Sequence, residues 1–129
     1  MAKSIAMVFG VIYTVIGIAG FIGPLGGTTG MASSTLLGIA PVNLVHNIVH
    51  LIIGLAGLSM ARTDEGASTY CKTFGLILLL VGVLGLIRPD GFGLMPIGGY
   101  DIWIHLISGL ILGYAGFVAA PTGRAATTH

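Results

Sequence analysis

The stretch "PVNLVHNIVHLIIGLAGLSM", Pro41–Met60, sets two asparagines and two histidines at the head of an apolar, glycine-dotted run. A membrane-crossing helix needs about 20 mostly apolar residues. Val42–Ala61 meets that length and reads as one crossing, with His46 and His50 near its start. Ser4–Gly23, Thr69–Arg88 and Tyr100–Ala119 have the same character, so the sequence predicts an all-α, four-helix transmembrane bundle in one domain, residues 1–129.

Composition supports the same solvent. Only 7% of the residues are charged, against about 25% in a soluble domain, too few to coat a surface facing water. Mean hydropathy is +1.04. The 22 glycines suit helices that approach closely where lipid offers no hydrophobic drive to associate. A net charge of +1 leaves no footprint for nucleic acid. Cys71 is the single cysteine, so no intrachain disulfide can form. No clean A-x-A site follows the first apolar run, which is therefore expected to persist as a helix.

The chain reads as two copies of one helical hairpin, about 4–61 and 69–119. "FGVIYTVIGIAGFI" (Phe9–Ile22) aligns with "FGLILLLVGVLGLI" (Phe74–Ile87), and "PVNLVHNIVHLIIGL" (Pro41–Leu55) with "PIGGYDIWIHLISGL" (Pro96–Leu110). His50 then matches His105, and His46 falls opposite Asp101. Each copy crosses twice, which predicts parallel repeats about an axis along the membrane normal. Lys3, Arg62, Lys72 and Arg124 collect on one side and only Arg88 on the other. By the positive-inside rule both termini are expected in the cytoplasm, with the histidine-bearing helix ends toward the outer face.

Helical positions three, four and seven apart share a face. Asn43, His46 or Asn47, His50, Gly54 and Gly57 form one stripe; Asp101, His105, Gly109, Gly113 and Gly116 form another, with Ser108 at its edge. Titratable groups within a membrane turn toward a bundle interior or a wet cavity. His46, His50, Asp101 and His105 are therefore expected to converge between the hairpins.

Four chemistries fit that convergence. One is a structural hydrogen-bond network of Asn43, Asn47, His50, Asp101 and His105. Another is a transition-metal site, because His46-x3-His50 puts two imidazoles on one face and Asp101 and His105 complete four ligands. A third makes His50 and His105 axial ligands of haem or of a chlorophyll-type or bacteriochlorophyll pigment. Proton or ion conduction is the fourth, weakened because the cytoplasmic half lacks titratable side chains.

Catalysis is not expected. The chain has no H-E-x-x-H, nucleophile elbow or Walker loop, and "GPLGGTTG" (Gly23–Gly30) lacks the Lys-Ser/Thr of a phosphate loop. Asp64 and Glu65 read as a solvated turn, Asp90-Gly91 as turn chemistry, and Tyr100 and Trp103 as interfacial aromatics. Tyr13, Tyr70 and Tyr114 call for packing or interface roles alone, and His129 closes a polar tail.

"NLVHNIVHLIIGLAGL" and "YDIWIHLISGLILGYAGF" resemble the paired signatures of a family of small bacterial four-helix membrane proteins, the domain of unknown function 4383 type. That family shows N-x-x-H…G-x-x-G-L on its second helix and D-x-x-x-H on its fourth. The resemblance runs from Phe9 to about Phe117 and places Asn43 or Asn47, His50, Asp101 and His105 on family positions. It implies a fold and a location, the bacterial inner (plasma) membrane, and no activity. With so little mass outside the lipid bilayer, the functional expectation is a non-enzymatic accessory or scaffolding subunit, bound to other membrane subunits or to its own copies. The alternative is a cofactor binder using His50 and His105.

Overall fold

A computed structural model describes residues 1–119; Arg124 and His129 lie outside the described residues. Four helices follow in order: α1 (Ala2–Ala19), α2 (Leu44–Met60), α3 (Asp64–Ile87) and α4 (Asp101–Gly113). The last continues as a π-helical turn over Tyr114–Val118. Ala2–Ala19, Asp64–Ile87 and Asp101–Val118 are long and apolar enough to cross a membrane, while α2 is apolar and 17 residues long. The protein is an all-α bundle with the character of a membrane protein.

Its surface carries the grease and its interior the small and polar groups. Val11, Val15, Ile52, Leu55, Leu80, Leu86, Ile107 and Leu110 are all exposed. In water such continuous apolar faces would drive association; lipid covers them at no cost. Buried instead are Ala6, Tyr13, Ala67, Tyr70, Cys71, Leu78 and Leu112.

Glycine sets the spacing inside each hairpin. A Cβ on Gly10 would stand 2.7 Å from the Leu58 nitrogen, and one on Gly75 2.7 Å from the Gly113 nitrogen. Gly17 packs against Leu51 as Gly82 packs against Leu106, and Gly54 meets Thr14 as Gly109 meets Leu79. These contacts recur between α1–α2 and α3–α4 at the offsets of the sequence alignment. Leu112, rather than Gly113, takes the fully buried place on α4.

Two local features depart from expectation. Helix α3 starts at Asp64, more than a turn before Thr69, because the Thr63 hydroxyl accepts the Gly66 N–H at 2.9 Å and caps it. Asp64 and Glu65 thus lie in its first turn, where negative charge suits the positive end of the helix dipole. The loop between α1 and α2 also holds a small antiparallel hairpin, β1 (Ser34–Leu36) and β2 (Ala40–Val42), with Leu36 opposite Ala40.

Candidate functional site

The site begins with the cap of α2. Asn43 Oδ1 accepts the His46 N–H at 2.9 Å, and its Nδ2 donates to the carbonyls of Met31 (3.3 Å) and Leu94 (3.0 Å), one in the α1–α2 loop and one in the α3–α4 loop. Asn47 Nδ2 donates to the carbonyls of Gly20 (2.6 Å) and Thr28 (3.0 Å). These two side chains tie the loops to the bundle and thereby fix where the first turns of α2 stand. A pocket of about 490 Å³ opens on the loop side of Asn43, with Met31, Asp90 and Met95 among its lining residues.

One turn further in, the titratable groups meet. His46 and His50 stand on successive turns of α2, Asp101 and His105 on successive turns of α4. All four are buried, with no more than 3% exposure. Asp101 Oδ2 lies 3.1 Å from His46 Nε2 and 3.2 Å from His105 Nε2. The imidazole centroids are 4.3 Å apart for His46–His50, 5.9 Å for His46–His105 and 6.2 Å for His50–His105. One nitrogen or oxygen from each of the four residues falls within 4.8 Å of the others.

Distance and direction disagree inside this cluster. The two contacts to Asp101 are short enough for hydrogen bonds, yet neither forms a well-directed one. His46 Nδ1 and Nε2, His50 Nδ1, Asp101 Oδ2 and His105 Nδ1 are buried with no hydrogen-bond partner among the described residues. Directional geometry governs hydrogen-bond strength, so the polar groups here converge on a shared space more than they satisfy one another.

Tyr13, expected in a packing or interface role alone, stands beside the site. Its ring sits edge-on to His50 with centroids 5.5 Å apart, and its hydroxyl donates to Ser108 Oγ at 3.1 Å, joining α1 to α4 across the cluster. The signal was present: Tyr13 shares the buried face of α1 with Gly10 and Gly17. In the second hairpin the aligned position is Leu78, equally buried and apolar, so the polar wall exists on one side only. Tyr70 donates to the Ile53 carbonyl at 2.9 Å, away from the histidines. Tyr100 and Trp103 are exposed near the start of α4.

Among comparisons with known proteins, neither a curated protein nor a solved structure matches the chain. The family described as Domain of unknown function (DUF4383) matches over residues 3–118, which spans all four helices and all four members of the buried cluster. By that match, with its four apolar helices, the chain belongs to the DUF4383 family.

Proposed function

We propose that this membrane protein binds one first-row transition-metal ion between its hairpins, with His46, His50, Asp101 and His105 as the ligands. The carrying observation is four buried donor atoms within 4.8 Å of one another, in residues whose polar atoms lack directed hydrogen bonds. A buried polar group left without a partner costs about 1–3 kcal/mol. Several in one place are costly as a bare network, and an ion uses the same lone pairs. Three imidazoles and a carboxylate suit Zn²⁺, Fe²⁺ or Mn²⁺ rather than a soft cation that prefers sulfur.

The same spacing counts against the tetrapyrrole. A macrocycle held by His50 and His105 would have to displace His46 and Asp101 from the space among the four donors. Conduction lacks a second cluster of ionisable side chains among the described residues of the half built from Ala6, Ala67 and Leu78, where Tyr70 and Cys71 are single buried polar groups. A non-enzymatic accessory role stays compatible with metal binding, because a buried ion can lock the two hairpins together while their apolar outer faces serve lipid or partner subunits. In this reading the hairpins are repeats, the membrane is the bacterial inner one, and the cluster lies toward its outer face. Lys3, Arg62 and Lys72 against Arg88 support that orientation.

Metal analysis of protein purified gently from native membranes tests the proposal. About one equivalent of ion is expected, retained by Asn43→Gln and lost from His46→Ala and His105→Ala. Release should follow acidification, because a protonated imidazole is no ligand. Protein without metal as isolated, and taking up none of Zn²⁺, Fe²⁺, Mn²⁺ or Co²⁺, would leave the cluster a structural network. Chains that co-purify with metal-free protein would then favour the accessory-subunit reading.

A further inference from the structure

The four donor atoms stand behind walls of different chemistry, and the walls decide how an ion reaches them. Further along the bundle the core is Ala6, Ala67, Leu78 and Leu112. Beside the β-hairpin a cavity of about 120 Å³ touches His50 and Asp101, but its other walls are largely Ile16, Leu36, Leu37, Ile39 and Ile104. By either path an ion would shed its water against hydrocarbon with nothing in exchange. The remaining side is the seam between the α1–α2 and α3–α4 loops, where the pocket of about 490 Å³ opens. Met31 and Ser33 line it from the first loop, Asp90 and Met95 from the second. Asn43, the N-cap of α2, and Gly98 and Gly99, just before α4, line it as well. It therefore stands over the ends of the two helices that carry the donors. Those ends are positive, which makes the pocket a passage for a cation rather than a resting place.

One side chain closes that passage. Among the described residues, Asn43 is the pocket-lining residue that also bonds to a member of the cluster, through the His46 N–H. Its Nδ2 meanwhile holds the Met31 and Leu94 carbonyls, one from the loop of each hairpin. The seam is also where the bundle parts most readily. Within each hairpin backbone meets glycine directly, Gly54 against Thr14 and Gly109 against Leu79. Between the hairpins the close contacts are to side chains, as Gly57 to the Tyr70 ring. Away from the pocket the hairpins are joined by the short turn 61–63 and by the bond from Tyr70 to the Ile53 carbonyl, which leaves the loop end as the place to separate.

We infer that this seam is the gate through which the metal ion enters and leaves, and that Asn43 is its clasp. The ion passes when the Asn43 amide lets go of the Leu94 carbonyl and the two loops separate, and the clasp closes behind it. For its occupant the inference rests on the metal-site reading. Asn43 is a positioning residue: it holds the first turn of α2, and His46 with it, through the backbone and touches no ion.

The test uses metal-stripped full-length protein in nanodiscs and Co²⁺, whose visible absorption reports ligation. Asn43→Ser keeps an oxygen for the His46 N–H, since serine is a good N-cap, and drops both loop bonds. Uptake, and loss to EDTA, should each quicken about tenfold, the scale of one or two neutral hydrogen bonds, with the stoichiometry unchanged. Ser33→Cys with Met95→Cys, bridged across the pocket by a cleavable bifunctional thiol reagent, should slow both about as much. Cleaving the bridge should restore them, and buried Cys71 stays out of the reaction. If Asn43→Ser fails to fold, the bridged pair decides alone. Full Co²⁺ binding at parental rates in both variants overturns the gate and leaves the metal site standing. Slowing by a thiol reagent on Leu37→Cys instead puts the route at the β-hairpin and overturns it too. Protein that takes up no Co²⁺ in any form removes the metal reading, and the gate with it.

Discussion

At the scale of single residues, charge has different consequences inside and outside the bundle. Asp90, in the turn after α3, is exposed; Arg88 Nε donates to it at 3.4 Å and the Phe92 N–H at 3.3 Å. The Arg88 hydrogen bond, with the backbone donor behind it, holds the Asp90 carboxyl below the usual carboxylate range. A depressed native value means the unfolded chain takes up the proton first as pH falls. The contribution to stability is therefore complete above the ordinary carboxylate value and is lost as pH drops through the native one. Carboxyl NMR should show Asp90 titrating low, and Arg88→Gln should return it toward the ordinary value. The effect on stability should be slight, because water screens an exposed pair. Asp101 is buried instead, and among the described residues three imidazoles stand beside its carboxylate. That contrast is why one aspartate reads as turn chemistry and the other as a ligand.

At the scale of elements, each hairpin depends on glycine where two backbones touch. The Gly54 contact with Thr14 and the Gly109 contact with Leu79 leave no space for a side chain. Gly54→Val and Gly109→Val should each lower stability by about 1–3 kcal/mol, the usual cost of overpacking, read by denaturant unfolding in detergent. Gly113→Ala, whose Cβ would meet nothing within 4 Å, is the matched neutral control. Equal tolerance of all three would mean that the helices are not held at these positions. The glycine pattern was legible in the sequence because close approach leaves its mark at fixed offsets. The early start of α3 was not, since Thr63 competes with the charged residues that follow it, and capping geometry decides.

For the whole molecule, the open question of scale is which way it sits in its membrane. Cys71 is the single cysteine and is buried, so introduced cysteines can be read against a silent background. Leu94 and Glu65 are exposed at opposite ends of α3 and its flanking loops. In intact cells an impermeant maleimide should label Leu94→Cys and spare Glu65→Cys until the membrane is opened. The reverse pattern would move the buried cluster to the cytoplasmic side.

Hydropathy, helix period and the glycine, histidine and aspartate offsets determined the class of solvent, the number of helices and the faces that turn inward. These are properties of one helix at a time, and a linear pattern encodes them. Only tertiary structure decided that donor atoms of His46, His50, Asp101 and His105 come within 4.8 Å, that Tyr13 joins them, and that a cavity of about 120 Å³ opens beside the β-hairpin. Those facts depend on how α1, α2 and α4 are rotated and spaced against one another. That arrangement is set by packing between residues far apart in the chain, which no local periodicity records.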